Sequence, residues 1–233
     1  MKKFLVVTAI TDGKDALVDP PIVYENCDYI AYVDRKYDSV KVWEQRTVLK
    51  FSNIDHFINR RNAKPYKILS AVMFPQYEYV IWVDGNHQLK KDPQLIIDEY
   101  GEDVDLLVFK HPDRKCTYQE MNACAQWNLD HRENIENQFR FYKANKMPDN
   151  FGLFEMSTFI VKTSEAIKEL QLMWWEQICR FSSRDQISFP FCIWKMGDKI
   201  KKKKLKGYAN LFTMQGEKEG NEYFADQGRH LKY

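Results

Sequence analysis

The segment Tyr79–Asn86 constrains the fold of this chain more than any other. It reads Tyr-Val-Ile-Trp-Val-Asp-Gly-Asn, so an apolar run leads directly into a carboxylate, a glycine and an amide. Such a run predicts a strand buried on both faces of a mainly parallel sheet, and open sheets of this kind bind ligands at the carboxyl ends of their strands. Asp84 and Asn86 would then offer oxygen ligands to a hard divalent cation, with Gly85 allowing the backbone to turn between them. The alternative is an ordinary strand closed by an Asp-Gly turn.

Composition narrows the class of protein. The chain has 233 residues, of which 44% are hydrophobic and 29% charged, and its formal net charge is +2. These values are typical of a globular protein with one large or two small domains, and not of a disordered chain. The near-neutral charge gives no support for wholesale binding to nucleic acid or to an anionic membrane.

Cysteine usage and hydropathy bear on the compartment. The five cysteines are scattered and include no Cys-x-x-Cys pair, which favours reduced thiols over a disulfide framework or a zinc site. The start at Met1–Lys3 resembles that of a signal peptide, but the apolar run after it is short and meets a polar turn, which favours a first strand. No segment is long and apolar enough to span a bilayer. We therefore expect a cytoplasmic protein without a transmembrane segment, and peripheral membrane contact stays open.

Apolar runs that alternate with helical patterns predict a single α/β domain. The expected strands are Phe4–Ile10, Asp28–Val33, Val80–Val83, Val104–Phe109 and Phe159–Lys162. The expected helices begin at Asp92-Pro93, cover Ile135–Tyr142 and span Ser164–Phe181. Each apolar run ends in polar or charged residues, which suits a parallel sheet whose loops all open on one edge.

Three stretches in the first third of the chain suit a ligand that carries phosphate. Thr8–Gly13 offers hydroxyl groups and backbone amides at the end of a strand, although it lacks a glycine fingerprint. Asp34 follows the second strand and could accept a hydrogen bond from a base or a ribose. The basic cluster Arg60–Lys67 could neutralise a diphosphate. The alternatives are ordinary surface turns and a solvated helix face.

Polar residues also follow the fourth strand, in a loop region where ligand specificity usually lies. This group consists of His111, Arg114, Tyr118 and Glu120. A structural role for His111 is the alternative.

The segment Ser183–Gln186 fits a helix capping box, with Asp185 near the positive end of the helix dipole. A carboxylate in that position can also act as a general base. Further on, the Lys201–Lys204 run is typical of a solvated face, and could instead close over phosphates. His230 could complete an oxygen-rich metal site.

Taken in order, these segments resemble one known family. The motifs that carry the resemblance are Thr8–Gly13, Cys27–Asp34, Lys64–Leu69, Met73–Pro75, Tyr79–Asn86, His111–Arg114, Gly152–Glu155 and Ser183–Gln186. They resemble the glycosyltransferase-like family long called domain of unknown function 616, whose plant members are linked to the synthesis of cell-wall polysaccharides. The match runs from the first strand to about Gly197. It implies a domain over residues 1–197 and leaves residues 198–233 as a lysine-rich tail, which we expect to pack on or near the active site.

The resemblance implies a GT-A-like, and thus Rossmann-like, domain that transfers a hexosyl or pentosyl unit. The donor would be a nucleotide-diphosphate sugar and the acceptor a hydroxyl group of a glycan or glycoconjugate. An Asp-x-Asp-like motif would hold Mn²⁺ or Mg²⁺ on the diphosphate through Asp84 and Asn86. The residues implied for the nucleoside are Thr8, Ala9, Ile10, Thr11, Asp12 and Asp34; those near the phosphates are Arg61, Lys64, Lys67 and Gly85; and those around the sugar and acceptor are His111, Arg114, Glu155, Arg184 and Asp185.

Two positions depart from the family pattern. Asn86 stands where a second Asp is usual, so the site has one negative charge less and should bind metal more weakly. After Leu69 the chain has Ser70-Ala71 where a Pro-His pair is common, so any donor contact from that histidine is lost or supplied from elsewhere.

The mechanism and three rival functions stay open at the level of sequence. If the transfer inverts the anomeric carbon, Asp185 is the expected base and Glu155 the second choice; if it retains, either carboxylate could orient the donor. One rival is a metal-dependent nucleotidyltransferase, for which Thr11–Gly13 is a poor glycine-rich loop. The second is a non-catalytic module that binds a sugar nucleotide or a glycan, and the third is a nucleic-acid-binding protein. Nucleic-acid binding through the lysine tail would require a steep dependence on salt.

Overall fold

A seven-stranded sheet forms the centre of the molecule. The computed structural model describes residues 2–50, 58–101, 103–207 and 211–214. The strands in chain order are β1 (Phe4–Ile10), β2 (Cys27–Val33), β3 (Glu44–Thr47), β4 (Tyr79–Val83), β5 (His87–Leu89), β6 (Leu106–Lys110), β7 (Phe154–Lys162), β8 (Lys202–Leu205) and β9 (Phe212–Met214). The large sheet has the order β3-β2-β1-β4-β7-β6-β8, and β5 pairs with β9 in a separate ribbon.

The strands of the large sheet are parallel except at β7, which is antiparallel to both β4 and β6. The predicted α/β domain with a mostly parallel central sheet flanked by helices is confirmed. The expectation that every strand ends at one edge is wrong for the strand predicted at Phe159–Lys162. That strand begins earlier, at Phe154, and runs the opposite way, so that Thr158 pairs with Val83. The beginning of β7 therefore lies beside the end of β4.

Helices flank the sheet. In chain order they are α1 (Ile58–Ile68), α2 (Ser70–Met73), α3 (Pro93–Tyr100), α4 (Thr117–Gln126), α5 (Arg132–Ala144), α6 (Glu165–Arg180) and α7 (Asp185–Met196). The predicted start at Asp92-Pro93 is confirmed, because the Asp92 carboxylate accepts a hydrogen bond of 2.8 Å from the N–H of Gln94. The hydroxyl of Ser164 accepts one of 3.3 Å from the N–H of Ile167 and caps α6 in the same way.

Two hydrophobic cores lie on opposite faces of the sheet. Alternate residues of β1 face opposite ways, so Leu5 and Val7 join one core while Phe4 and Val6 join the other. The first core includes side chains from α1, α6 and α7, and the second includes side chains from α3. Burial on both faces explains why the central strands are apolar throughout, and it leaves the ends of the strands as the places where polar side chains gather.

Residues after the expected boundary at Gly197 take part in both sheets. The lysine-rich strand β8 lies parallel to β6 at an edge of the large sheet, and β9 pairs with β5, which follows the Asp-Gly-Asn segment. Charged side chains on an edge strand disfavour pairing with a second chain. The expected packing of the whole tail near the active site stays a prediction, and His230 lies outside the described residues.

All five cysteines are free thiols, four of them buried and Cys179 exposed. Among the helices in the described ranges, none combines the length and the apolar character needed to cross a membrane.

Candidate active site

The candidate site lies where β1, β2 and β4 end and β7 begins. Asp84 follows β4 directly, and its backbone N–H donates to the carbonyl of Ser157 in β7 over 2.8 Å. The carbonyl of Asp84 accepts from the N–H of His87, also over 2.8 Å, which closes a turn around Gly85 and Asn86. Backbone hydrogen bonds therefore fix the position of Asp84 independently of its side chain.

Four charged side chains form one chain of ion pairs at this edge. Lys64 Nζ lies 2.9 Å from Asp185 Oδ1, and Lys67 Nζ lies 2.7 Å from Asp185 Oδ2. Lys67 Nζ also lies 3.1 Å from Asp84 Oδ1, which accepts a hydrogen bond of 2.8 Å from Trp82 Nε1. We call Lys64, Asp185, Lys67 and Asp84 the charge network. It brings together residues that the sequence placed in separate motifs.

Burial and mutual attraction set the charges of this network. The side chains of Lys64, Lys67 and Asp185 are 12%, 5% and 8% exposed, whereas that of Asp84 keeps 40%. Burial alone would raise the pKa of both carboxyl groups, but the lysines outweigh it and hold the pKa of Asp185 and of Asp84 below the usual range. Burial lowers the pKa of Lys64 to about 8 in spite of Asp185. For Lys67 the two carboxylates outweigh burial and raise the pKa, so Lys67 holds its charge more firmly than Lys64 does.

The local sequence explains how these side chains meet. Lys64 and Lys67 are three residues apart on α1 and therefore share one face of that helix. Asp185 is the first residue of α7, where free backbone N–H groups and the helix dipole favour an ionised carboxylate. The charge network thus joins one helix face to the start of another helix and to the end of a strand.

The predicted capping box at Ser183 is wrong. The N–H and the hydroxyl of Ser183 both donate to Asp130 Oδ2, over 2.7 and 2.5 Å, and the hydroxyl of Ser182 donates to the same oxygen over 3.0 Å. Arg184 precedes the helix instead and makes no side-chain cap. The buried carboxylate of Asp130 therefore holds the segment that leads into Asp185.

A glycine is needed at position 85 because neighbouring atoms leave no room for a Cβ atom, and not because of an unusual backbone angle. A Cβ atom on this residue would lie 2.8 Å from Ile10 Cγ1 and 2.9 Å from Asp15 Cβ. The carboxylate of Asp15, in the loop after β1, therefore lies directly against the Asp-Gly-Asn segment. Burial raises the pKa of Asp15, and the charge of Asp84 adds to that rise.

Glu155 is the second residue of β7 and lies at the same edge because β7 runs against its neighbours. Its carboxylate accepts a hydrogen bond of 3.3 Å from the N–H of Ser157. Burial raises the pKa of Glu155, and the negative charge of Asp84 contributes in the same direction. Glu155 therefore holds a proton more readily than the carboxylates of the charge network do.

A second group of charges adjoins Asp185 through Arg184. Arg114 Nε donates to Glu120 Oε2 over 2.6 Å, and Arg184 Nη2 lies 3.8 Å from Glu120 Oε1. The side chain of Glu120 is 2% exposed, so it serves as a buried anchor for both arginines. His111 Nδ1 accepts from the N–H groups of Asp113 and Arg114, which orders the loop after β6.

The residues expected to contact the nucleoside fall into two sets. Asp34 Oδ2 accepts a hydrogen bond of 2.5 Å from the N–H of Asp12, so the loops after β2 and β1 are tied together, and both residues are exposed. Thr8 and Ile10 are buried within β1, whereas Ala9 keeps partial exposure and Thr11 lies at the strand exit with 9% of its surface exposed. The exposed carboxylates after the strands are thus the accessible part of this predicted set.

The guanidinium group of Arg61, predicted to lie near the phosphates, contacts the end of α6. Its guanidinium donates to the carbonyls of Ile178 and Phe181, over 2.6 and 2.8 Å, at the end of α6. A cation at a helix C-terminus satisfies carbonyl groups that the helix itself leaves free. In this structure Arg61 thus holds α1 to α6.

The family model of the TOD1/MUCI70 glycosyltransferase-like domain matches residues 3–219. The chain belongs to this family. The resemblance drawn from the sequence motifs is confirmed, and the match extends beyond the boundary expected near Gly197.

Two relatives from Arabidopsis thaliana are similar to this chain. A probable hexosyltransferase, MUCI70, is 24% identical over 210 residues, which is 79% of this chain and 36% of the relative. An alkaline ceramidase, TOD1, is 24% identical over 174 residues, which is 70% of this chain and 37% of the relative. The chain therefore spans little more than a third of the length of either relative.

Solved structures of glycosyltransferases resemble the chain distantly. The apo structure of the bifunctional glycosyltransferase WbbM has a TM-score of 0.45 at 9% identity, and the match covers 88% of this chain and 39% of that one. Apo mouse xyloside xylosyltransferase 1 has a TM-score of 0.46 at 9% identity, with coverage of 88% and 84%. Membership of the TOD1/MUCI70 family, rather than these distant likenesses, carries the assignment to a glycosyltransferase-like domain.

The oxygen atoms that Asp84 and Asn86 offer as metal ligands fit a divalent cation that takes most of its ligands from substrate and water. Within the described ranges, no group of three or more His, Cys, Asp and Glu side chains is arranged to hold a metal ion. Asp84 Oδ1 already contacts Lys67 and Trp82, and Asn86 Oδ1 lies 2.7 Å from His87 Nδ1. Magnesium is commonly held by one or two carboxylates together with substrate phosphates and water, and the half-exposed Asp84 suits that mode of binding.

Sequence reasoning missed several residues that shape this site. Trp82 could have been found, since residues two apart on a strand face the same side and its indole reaches Asp84. Asp15 lies just after the polar segment Thr8–Gly13 that the sequence singled out, but no local sequence pattern predicts its contact with Gly85. Asp130 had no local signal, because its role depends on serines more than fifty residues away.

Proposed function

We propose that this glycosyltransferase-like domain moves a sugar from a nucleotide-diphosphate sugar to a hydroxyl group of a glycan or glycoconjugate. The charge network carries the proposal, because it holds one buried and one largely buried lysine at the carboxyl edge of the sheet, within 3.1 Å of carboxylates. Lysine is a common phosphate-binding residue, and a departing diphosphate gains negative charge as the bond to the sugar breaks. The family and the relative named a probable hexosyltransferase support the same class of reaction.

In the proposed reaction the lysines and the carboxylates have separate tasks. Lys64 and Lys67 hold the donor diphosphate and offset the charge that forms on it. If the reaction inverts the anomeric carbon, Asp185 takes the proton of the acceptor hydroxyl, and Glu155 is the second candidate for that role; if it retains, either carboxylate orients the donor. The raised pKa of Glu155, caused first by burial, makes it the stronger base of the two in the ligand-free protein.

The surrounding residues bind the rest of the two substrates in this proposal. Thr11, Asp12 and Asp34 lie near the nucleoside. His111, Arg114 and Arg184 line the sugar and acceptor pocket, where Glu120 holds the two arginines in place. The transferred unit is a hexosyl or a pentosyl group, and a series of donors distinguishes the two.

We further propose that Mn²⁺ or Mg²⁺ assists the reaction at Asp84. Asp84 would hold the ion, with Asn86 as a weaker second ligand and with phosphate and water oxygens completing the shell. When bound, the cation would act as a Lewis acid on the leaving diphosphate. His230, predicted as a further ligand, lies outside the described residues.

The most direct experiment follows the release of nucleoside diphosphate from a panel of hexosyl and pentosyl nucleotide sugars, with and without manganese. We expect one donor to be turned over in a manner that depends on metal and on a glycan acceptor. Binding of a donor without turnover on a broad acceptor panel would favour a non-catalytic sugar-nucleotide or glycan-binding module. Release of pyrophosphate from a nucleoside triphosphate and a sugar phosphate would favour the rival nucleotidyltransferase.

The relative TOD1 adds one control to that experiment, because its name is that of an alkaline ceramidase. The same preparation should be assayed for release of fatty acid from ceramide. Release of fatty acid without turnover of any nucleotide sugar would contradict the proposed glycosyl transfer.

We propose a cytoplasmic location, with peripheral membrane contact left open and no nucleic acid as partner. The free thiol state of all five cysteines supports a reducing compartment. Fractionation of the source cells, with the chain tracked by antibody, would test this location.

A further inference from the structure

The two lysines of the charge network contact Asp185 and also lie where the proposed reaction needs cations for the donor. In the ligand-free protein Lys64 and Lys67 contact both oxygens of Asp185, at 2.9 and 2.7 Å. In the proposed reaction these lysines hold the donor diphosphate. A carboxylate whose two oxygens are both ion-paired is a weak base, since protonation would cost it both interactions. Donor binding must therefore change the pairing before Asp185 can take a proton.

The two lysines are not equivalent. Lys67 is fixed by Asp84 at 3.1 Å and lies 5.3 Å from the centroid of the Trp82 ring, in addition to its contact with Asp185. Lys64 has one ion-pair partner in the described part of the chain, Asp185, and its side chain is 12% exposed against 5% for Lys67. Lys64 therefore leaves the network with the smaller loss of contacts.

We propose that Lys64 is a switch operated by the donor: the diphosphate draws Lys64 Nζ away from Asp185 Oδ1 and so frees Asp185 to act as the base. This inference rests on the proposed function, with inversion at the anomeric carbon. In the step that follows, the acceptor hydroxyl gives its proton to Asp185, and its oxygen forms a bond to the anomeric carbon. The bond from that carbon to the diphosphate breaks, and its electron pair leaves with the diphosphate.

The switch imposes an order on the reaction. Without a donor, Asp185 stays paired and does not deprotonate an acceptor that has entered first. With a donor in place, the positive charge that restrained the base instead stabilises the leaving group. One lysine thus couples occupation of the donor site to activation of the acceptor.

Other charged groups near Asp185 do not substitute for Lys64. Lys67 Nζ lies 2.7 Å from Asp185 Oδ2 and 3.1 Å from Asp84 Oδ1, so it is held between the two carboxylates. Arg184 precedes Asp185, but its guanidinium lies 3.8 Å from the carboxylate of Glu120. Burial tends to raise the pKa of Asp185, and Lys64 is the first of the two lysines that hold it below the usual range. Departure of Lys64 therefore raises the pKa of Asp185 most directly.

The test is a carboxyl ¹³C NMR titration of Asp185 in the full chain, with inorganic pyrophosphate as the probe in place of the donor. The Asp185 signal is assigned from Asp185→Asn, and binding of pyrophosphate is measured by calorimetry on the same samples. Lys64→Met removes the switch. Lys199→Met is the matched control, since Lys199 forms a surface ion pair of 2.9 Å with Glu169 and is 63% exposed.

We expect pyrophosphate to raise the titration midpoint of Asp185 by at least about one pH unit, a tenfold change in proton affinity. In Lys64→Met the midpoint should already be raised and should not move further, while Lys199→Met should behave like the unmodified chain. An unchanged Asp185 signal with pyrophosphate bound, or failure of pyrophosphate to bind, would overturn the switch. The comparison in the unmodified chain decides the matter even if Lys64→Met does not fold.

The switch and the proposed function fail in different ways. A shift of Asp185 on binding pyrophosphate, in a protein that turns over no nucleotide sugar, would leave the switch standing and remove the transferase. Turnover of a nucleotide sugar, with a titration midpoint of Asp185 that pyrophosphate does not change, would support the transferase and overturn the switch.

Discussion

At the scale of single residues, Gly85 shows how closely the site is packed. The loop after β1 touches the Asp-Gly-Asn segment so tightly that a Cβ at residue 85 would lie 2.8 Å from Ile10 Cγ1. We expect Gly85→Ala to lower the free energy of unfolding by about 1–3 kcal/mol, as overpacking typically does. Urea denaturation would measure it. Gly207→Ala is the control, because a Cβ there meets no atom within 4 Å; equal stability of the two variants would contradict the close approach.

Asp185 is expected to stabilise the fold as well as to act in the site. Asp185→Ala leaves Lys64 and Lys67 buried without their shared carboxylate, so we expect a loss of about 3–5 kcal/mol in the free energy of unfolding. The exposed Asp198 provides the control substitution. A loss for Asp185→Ala no larger than that for Asp198→Ala would show that the ion pairs contribute nothing.

The same residue gives a dependence on pH. Because the pKa of Asp185 is held below its unfolded value, its contribution to stability is present above about pH 4 and is lost as the pH falls below that value. Acid titration of the unfolding free energy should therefore be steeper for the unmodified chain than for Asp185→Asn. Parallel curves would contradict the depressed pKa.

Lys64 gives a second dependence on pH, at the alkaline end. Its pKa is lowered to about 8, first by burial, so the folded protein loses this positive charge as the pH rises through that value. We expect pyrophosphate to bind more weakly above pH 8, with a decline that approaches about tenfold per pH unit. Calorimetry on Lys64→Arg provides the control, since arginine keeps its charge in this range. The same decline in Lys64→Arg would show that another group is responsible.

The residues of the charge network could be singled out from the sequence, but their contacts could not. Asp84 and Asp185 could be singled out because one follows a buried strand and the other opens a helix, both of which are local patterns. Lys64 and Lys67 could be singled out by charge. That all four meet in one network depends on how α1 and α7 pack on the same face of the sheet, which no local pattern encodes.

At the scale of elements, the start of α7 positions the proposed base. Asp130 accepts three hydrogen bonds from Ser182 and Ser183, just before that helix. We expect Asp130→Ala to leave the sheet folded and to lower protection of the amides of residues 183–185 from hydrogen exchange by about tenfold or more, since loss of a buried acceptor costs about 1–3 kcal/mol. Asp113→Ala, in an exposed loop, is the control. Unchanged protection in Asp130→Ala would show that α7 begins without help from Asp130.

The apolar strands could be predicted from sequence, and the polar ones could not. The run Phe4–Ile10 matches β1 to the residue, because burial on both faces leaves a continuous apolar signal. The strands β3 and β8 read Glu-Gln-Arg-Thr and Lys-Lys-Lys-Leu, and both lie at edges of the sheet where one side is open. Their residues carry no hydrophobic period, so only pairing with a neighbour makes them strands.

The direction of β7 could not be predicted from the local sequence either. An antiparallel strand within a parallel sheet has the same apolar composition as its neighbours, and pairing with β4 decides its direction. That reversal is what carries Glu155 to the edge where Asp84 lies. Loop lengths and packing, not strand composition, therefore determine which carboxylates face the site.

At the scale of the whole molecule, the charged side chains of the candidate site lie together at one edge of the sheet. The ends of β1, β2 and β4 and the start of β7 meet there, and α1 and α7 bring the lysines and Asp185 to the same place. The match to the TOD1/MUCI70 family extends over residues 3–219, so the family relation covers this entire arrangement. We propose that the charge network at this edge is the donor site of a glycosyltransferase.

The measurement that tests this claim most directly is turnover of the donor selected by the nucleotide-sugar panel, compared between the unmodified chain and Asp84→Ala. Asp38→Ala is the control, because Asp38 is 85% exposed and pairs with Lys36. We expect Asp84→Ala to lower kcat/KM at least about a hundredfold, as loss of an electrostatic contact to a developing charge typically does, and Asp38→Ala to leave it unchanged. Turnover by Asp84→Ala equal to that of Asp38→Ala would contradict the account.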